Sequence, residues 1–155
     1  MKQRDTRPAT PSGISYLVGH LERLVRKRLV ETISPLGLTI QQYTALAVLG
    51  ARGQLSNAQL AERSLVTPQS ANQMVKGMEK RGWIERSADP SHGRIIHLHL
   101  TPLGQEVLQE AHAAAAEFET GMLEGLTARD RERYREYLRA SVRAISLSSV
   151  DSTLP

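Results

Sequence analysis

The Thr-Pro pairs at Thr67-Pro68 and Thr101-Pro102 bracket the stretch of this chain in which apolar and polar residues alternate. A threonine ahead of a proline is a helix opening. The hydroxyl can accept from an unpaired backbone N–H, and proline suits the first helical position because its missing N–H would be unbonded there. After the first pair, helical spacing runs through Met74, Val75 and Met78 and stops at Gly82. Asp89-Pro90-Ser91-His92-Gly93 is turn chemistry, and after it Ile96, Leu98 and Leu100 alternate with His97 and His99. The pattern predicts a two-stranded hairpin, Trp83–Ala88 with Arg94–Leu100, and then a long helix from Thr101. Such a hairpin is too small to stand alone and depends on the helices around it.

Those helices are legible upstream and downstream. Ile14, Leu17, Val18, Leu21, Leu24, Val25 and Ile33 fall at helical spacing, a narrow seam suited to helix–helix contact, with Arg23, Arg26, Lys27 and Arg28 beside it. This helix should stop near Pro35, with Gly37 in the turn. Thr39-Ile40-Gln41-Gln42 and Ser56-Asn57-Ala58-Gln59 are both capping-box patterns, each opening a further helix. Beyond Pro102 the apolar residues Val107, Ala111, Ala114, Phe118 and Met122 repeat close to every 3.5 residues. Thr127 caps a last helix whose apolar face is Tyr134, Tyr137, Leu138, Val142 and Ile145. The expected architecture is mostly α with one small β-hairpin. A flexible basic arm covers 1–12, a helix-turn-helix lobe with its hairpin covers 37–101, long flanking helices cover 13–36 and 102–147, and a frayed tail covers 148–155.

The helix opened by Thr67 is the informative one. At 100° per residue, Ala71, Met74, Val75 and Met78 cluster on one side. Gln69, Gln73, Lys76 and Lys80 cluster opposite, with Ser70 and Asn72 at the flanks. The short helix before it packs through Leu60 and Ala61, and a tight turn at Ser64-Leu65-Val66 joins the two, a helix-turn-helix arrangement. Gln and Asn each carry a donor and an acceptor and can read adenine bidentately in the major groove. Thr67 and Ser70 can hold phosphates or read bases. Lys76, Lys80, Arg81 and Arg63 supply positive charge, and a helix N-terminus favours an anion. From Arg63 to Leu100 six basic residues face three acidic ones, so +3 of the chain's net +4 sits in a quarter of its length. Any solvated helix can show a polar face. The basic hairpin directly after this one turns the arrangement into a winged helix, with Arg86 and Arg94 placed for the minor groove, where negative potential attracts arginine.

Composition removes other classes. No cysteine occurs among the 155 residues, which excludes disulfides, thiol catalysis, thiol redox sensing and Cys-type zinc sites. No G-x-S-x-G, H-E-x-x-H or Gly-rich phosphate loop is present, and the chain reads as a non-enzyme without a cofactor. His97 and His99 share one face of a strand with His92 nearby, but a metal needs a third ligand, so an exposed wing face or a phosphate contact is the simpler reading. No apolar run could span a bilayer, and the polar first residues lack the apolar centre of a signal peptide. The expectation is a soluble cytoplasmic protein, nucleoid-associated when bound to DNA.

The segments "LTIQQYTALAVL", "LSNAQLAERSLVTPQSANQMVKGMEKRGWIER" and "DPSHGRIIHLHLTPLGQEVL" together resemble the MarR family of transcriptional regulators, and the resemblance runs from about Tyr16 to Ile145. It implies a homodimer interlocked through the N- and C-terminal helices and bound to a pseudo-palindromic operator in double-stranded DNA. It also implies repression in most members, and release by small anionic or aromatic ligands, phenols among them. Carried over by position, Thr67, Pro68, Gln69, Ser70, Gln73 and Lys76 match the recognition helix, Arg94 the wing arginine, and Asp89 an acidic residue able to pair with Arg94. The chain departs from the family pattern at His92 and Gly93, where the family more often has an acidic and then a basic residue. That departure implies a looser wing tip, to which a protonated His92 would add charge at low pH. The expected DNA-facing set is therefore Arg63, Thr67, Pro68, Gln69, Ser70, Asn72, Gln73, Lys76, Arg86, His92 and Arg94. Tyr16, His20, Tyr43 and Trp83 are candidate walls of a ligand pocket, with ordinary core and dimer packing as the plainer reading. An architectural DNA binder and a winged-helix protein-interaction module are the alternatives.

Overall fold

The computed structural model describes residues 12–89 and 91–151. The expected arm, apart from Ser12, and the end of the expected tail lie outside these residues. The order of elements is α1 (Ile14–Ile33), a 3-10 turn (Ser34–Leu36), α2 (Ile40–Arg52), β1 (Leu55–Ser56), α3 (Asn57–Arg63), α4 (Pro68–Lys80), β2 (Ile84–Ala88), β3 (Ile96–Leu100), α5 (Pro102–Met122) and α6 (Ala128–Asp151). The architecture is mostly helical with one small sheet. The helix starts follow their caps. Thr39 Oγ1 accepts from the Gln42 N–H at 3.2 Å while Gln42 Oε1 accepts from the Thr39 N–H at 3.0 Å. Ser56 and Gln59 repeat the arrangement at 3.2 and 2.9 Å. Gly82 ends α4 in the left-handed region at φ +71°.

Two features differ from the expectation. The sheet has three strands in the order β1-β3-β2, all antiparallel, with Leu55 opposite Leu98 and Ser56 opposite His97. A two-residue strand has no alternation for a pattern to reveal, so β1 is set by tertiary contact alone. The other difference is at the end of the chain, where α6 continues to Asp151, four residues beyond 147.

Two compact units are distinguished, one through Phe118 and one from Glu119 onward. The first holds the core. Ile33, Leu46, Leu49, Leu60, Val75, Met78 and Leu98 are fully buried there. Burial of each such side chain stabilises the fold by roughly 1.5–3 kcal/mol. Leu98 draws the sheet into this core, and Val75 and Met78 fix which face of α4 turns inward. The junction between sheet and α5 is tight. Thr101 Oγ1 donates to Gly82 O at 2.5 Å and accepts from the Gly104 N–H at 3.0 Å, while the Thr101 N–H donates to Trp83 O at 3.1 Å. Gly104 is required here because a Cβ would lie 1.9 Å from Trp83 O.

The second unit comprises the end of α5, a turn through Gly125 (φ +85°) and α6. On α6, Tyr137 is 59% exposed and Val142 64%. In the first unit Ile14, Leu17, Val18 and Leu24 on α1 are likewise exposed. Much of each predicted apolar seam is thus uncovered in the single chain, although Ile33 at the end of the α1 seam is buried in the core. Among the described residues no helix is long and apolar enough to cross a membrane.

Candidate nucleic-acid interface

α3 and α4 are joined by a turn in which the Val66 N–H donates to Ala61 O at 3.0 Å and the Leu65 N–H to Glu62 O at 3.2 Å. Leu65 adopts φ +54°, the one left-handed non-glycine residue among those described. The turn hands over to Thr67, whose Oγ1 accepts from the Ser70 N–H at 3.2 Å and donates to Ser70 Oγ at 2.9 Å. Because Thr67 spends its proton on Ser70, the Ser70 hydroxyl keeps its own hydrogen for an outside acceptor.

α4 buries Ala71, Val75 and Met78. Thr67, Pro68, Gln69, Ser70, Asn72, Gln73, Lys76 and Lys80 are exposed, as is Arg63 on the last turn of α3. One helix therefore offers amides, hydroxyls and ammonium groups on a single open face. It is held rigid from behind by the core, as groove recognition requires.

The wing, formed by β2, its loop and β3, differs in detail from the sequence expectation. The expected Asp89–Arg94 pair is not formed. Asp89 Oδ2 instead lies 2.8 Å from His97 Nε2, and Oδ1 accepts from the N–H groups of Ser91 at 2.7 Å and His92 at 2.9 Å. The hydrogen bond from His97 is the main cause, and the two backbone donors the next, that hold the Asp89 carboxyl below its usual range. The loop is further closed by Asp89 N–H to Ile95 O and Ile95 N–H to His92 O, both 2.8 Å, so the tip is more restrained than its Gly93 suggests. Arg94 and the His92 side chain are exposed. His97 and His99 do not form the expected open face. His97 is half-buried against Asp89, and His99 Nε2 lies 3.2 Å from Glu85 Oε1.

Two cations read from sequence as DNA-facing are already engaged. Arg86 meets Glu79 through two bonds, Nε to Oε1 at 2.6 Å and Nη2 to Oε2 at 2.9 Å. The Glu79 carboxylate also holds the Arg86 guanidinium protonated even more firmly than usual. Arg81 donates to Gly37 O at 2.9 Å and lies over the Trp83 ring at 4.7 Å, so it joins α4 to the turn before α2. Glu79 was missed by sequence reasoning. It is seven residues from Arg86 and on a different element, a spacing that no local rule marks.

Tyr16 stacks on His20 at 6.0 Å along α1, Tyr43 packs edge-on to His112 at 5.7 Å, and Trp83 is buried in the core. A cavity of about 380 Å³ lies between the start of α2 and α4. Thr39, Gln41, Gln42, Val66, Ser70, Gln73 and Met74 line it, which places two of the expected DNA readers on its wall.

Comparison with known proteins agrees with this geometry. Residues 36–95 match the model of the MarR family. The HTH-type transcriptional repressor Rv2887 of Mycobacterium tuberculosis is 30% identical over 130 residues, covering 84% of this chain and 94% of the repressor. Its crystal structure with salicylic acid superposes with a TM-score of 0.69 at 29% identity, covering 84% of this chain and 96% of that one. A mutant of Escherichia coli MarR complexed with operator DNA shares the fold at a TM-score of 0.70 and 23% identity, covering 83% of this chain and 92% of that one. The helix-turn-helix, the wing and this likeness along nearly the whole length of a repressor lead to one assignment: the chain belongs to the MarR family of transcriptional regulators.

Proposed function

We propose that this protein represses transcription by binding a pseudo-palindromic operator as a homodimer, and that a small aromatic acid releases it. The observation that carries the DNA reading is the face of α4. Gln69, Asn72, Gln73 and Lys76 are exposed on a helix whose opposite side is locked by Ala71, Val75 and Met78. In this reading Gln69, Asn72, Gln73 and Ser70 address base edges in the major groove. Thr67, Pro68, Arg63 and Lys76 set the helix against the backbone, and Arg94, with His92 beside it, serves the wing. The exposed seams of α1 and α6 support the homodimer, because apolar stripes at helical spacing are covered by a partner in a stable protein. A dimer would present two α4 helices to half-sites roughly 34–36 Å apart.

The ligand reading rests on the cavity beside α4 and on the salicylic acid complex of the M. tuberculosis relative. A ligand touching Ser70 and Gln73 would compete directly with bases for the same groups. In vitro transcription from the promoter beside the protein's own gene, with a nuclease footprint in parallel, tests the proposal. The expected result is a two-lobed footprint and reduced transcript, both reversed by salicylate. A footprint with unchanged or raised transcript would overturn repression, and a footprint indifferent to salicylate would overturn release by that ligand.

A further inference from the structure

Among the described residues, the other arginine–carboxylate pairs lie three or four residues apart on one helix: Arg26 with Glu22, Arg28 with Glu31, and Arg135 with Glu132. Arg86–Glu79 is different. It joins the last turn of α4 to the middle of β2, its side chains are only 38% and 30% exposed, and both guanidinium bonds fall within 2.6–2.9 Å. A planar fork against a carboxylate fixes direction as well as distance. Glu79 acts twice at this corner, because its backbone carbonyl also accepts from the Gly82 N–H at 2.8 Å, the bond that closes α4.

We propose that Arg86 is a positioning residue rather than a DNA contact, and that with Glu79 it clamps the wing at a set angle to the recognition helix. The proposal rests on the operator-binding reading above and reassigns one residue within it. Besides the clamp, the wing is held by the turn at Gly82, by the burial of Trp83, Ile84 and Leu98, by the pairing of β3 with β1 and by the bonds of Thr101, while Arg86–Glu79 is the salt bridge that ties β2 directly to the recognition helix. Strand β2 has five residues. At about 3.4 Å per residue it is about 17 Å long, so a tilt of about 10° at its base moves the far end by roughly 3 Å, the length of a hydrogen bond. That displacement would take Arg94 out of register with a site that α4 is reading. Charge points the same way. The Glu79 carboxylate occupies two of the five guanidinium N–H groups and offsets the charge, so Arg86 offers a phosphate less than a free arginine would.

The test measures fluorescence anisotropy on operator DNA and on a scrambled duplex, across a salt series, for wild type, Arg86→Ala, Arg86→Lys, Glu79→Ala and the exchanged pair Glu79→Arg with Arg86→Glu. For Arg86→Ala the expected result is a fall of about five- to tenfold on the operator, little change on the scrambled duplex, and an unchanged salt slope. Arg86→Lys keeps the charge but loses the fork, and should resemble Arg86→Ala. Glu79→Ala frees a cation, so binding to the scrambled duplex should tighten and the salt slope steepen by up to about one while selectivity falls. The exchanged pair should recover most of the lost selectivity. The inference is overturned if Arg86→Ala weakens both duplexes equally with a salt slope lower by about one, or if Arg86→Lys binds like wild type. Failure of the exchanged pair to recover selectivity, with an unfolding midpoint like that of wild type, also overturns it. A wild-type protein that does not distinguish the two duplexes overturns the operator reading itself, and the clamp's role with it.

Discussion

Replacing Gly104 by alanine asks whether α5 meets the base of the wing as closely as the structure shows. In an open helix this change stabilises by about 1 kcal/mol, because glycine loses more backbone freedom on folding than alanine. Here the new Cβ would sit 1.9 Å from Trp83 O and 2.8 Å from Trp83 C, both backbone atoms that cannot rotate away. An ordinary contact needs roughly 3.4 Å or more, so α5 would have to shift by roughly 1.5 Å. That shift would strain the bonds Thr101 makes to Gly82 O and Trp83 O. Overpacking of this kind costs about 1–3 kcal/mol and each lost hydrogen bond about 1 kcal/mol, so a net loss of about 3 kcal/mol is expected after the propensity gain. The assay is urea unfolding at fixed protein concentration, since the midpoint of the proposed dimer would depend on it. Gly121→Ala is the control. It lies on the same helix with nothing within 4 Å of its Cβ, and should raise stability by up to about 1 kcal/mol. A Gly104→Ala protein as stable as wild type would refute the close approach.

Other outcomes follow from the interface. Gln73→Ala should weaken operator binding by about 1–3 kcal/mol and leave scrambled DNA nearly unaffected, read by anisotropy; equal losses on both would show that Gln73 does not read sequence. Arg94→Ala should weaken binding to any duplex and lower the salt slope by about one, and an unchanged slope would remove Arg94 from the phosphate contacts. The wing loop should depend on acid pH. The Asp89 carboxyl is held below its ordinary range by His97 and by the Ser91 and His92 N–H groups, so its ionised form stabilises the fold. That contribution is complete above the unfolded value near ~3.9 and is lost as pH falls through the lower folded value. Amide exchange at Ser91 and His92, followed by NMR, should accelerate in that acid window in wild type. An Asp89→Asn variant should show no such step, and a step of equal size there would assign it to another group.

What was legible in the sequence was local. Caps act over three residues, so Thr39, Ser56, Thr67 and Thr127 could be read directly, and each hydroxyl accepts from a backbone N–H three residues on. Gly82 and the alternation from Ile96 to Leu100 marked the end of α4 and the second wing strand for the same reason. Partner choice across elements was not legible. Asp89 had a cation five residues away in Arg94, yet its partner is His97, which the antiparallel register brings opposite Ser87, two residues before Asp89. Arg81 finds Gly37 across 44 residues. Glu79 captures Arg86 across the corner between helix and strand, and the two-residue β1 carried no periodicity at all. The aromatic candidates show the same limit. Ring type marks what could wall a pocket, but only packing places Tyr43 against His112 and Trp83 in the core, or sets a cavity against Ser70, Gln73 and Met74.

The central claim is that the exposed face of α4 reads DNA sequence. Its most direct test is fluorescence anisotropy of the full chain against DNA from beside its own gene and against a scrambled duplex of equal length, over a salt series. Binding at least a thousandfold tighter to the native duplex is expected, as for other sequence-specific binders, with affinity falling steeply as salt rises. Equal affinity for both duplexes, or no salt-sensitive binding to either, would contradict it.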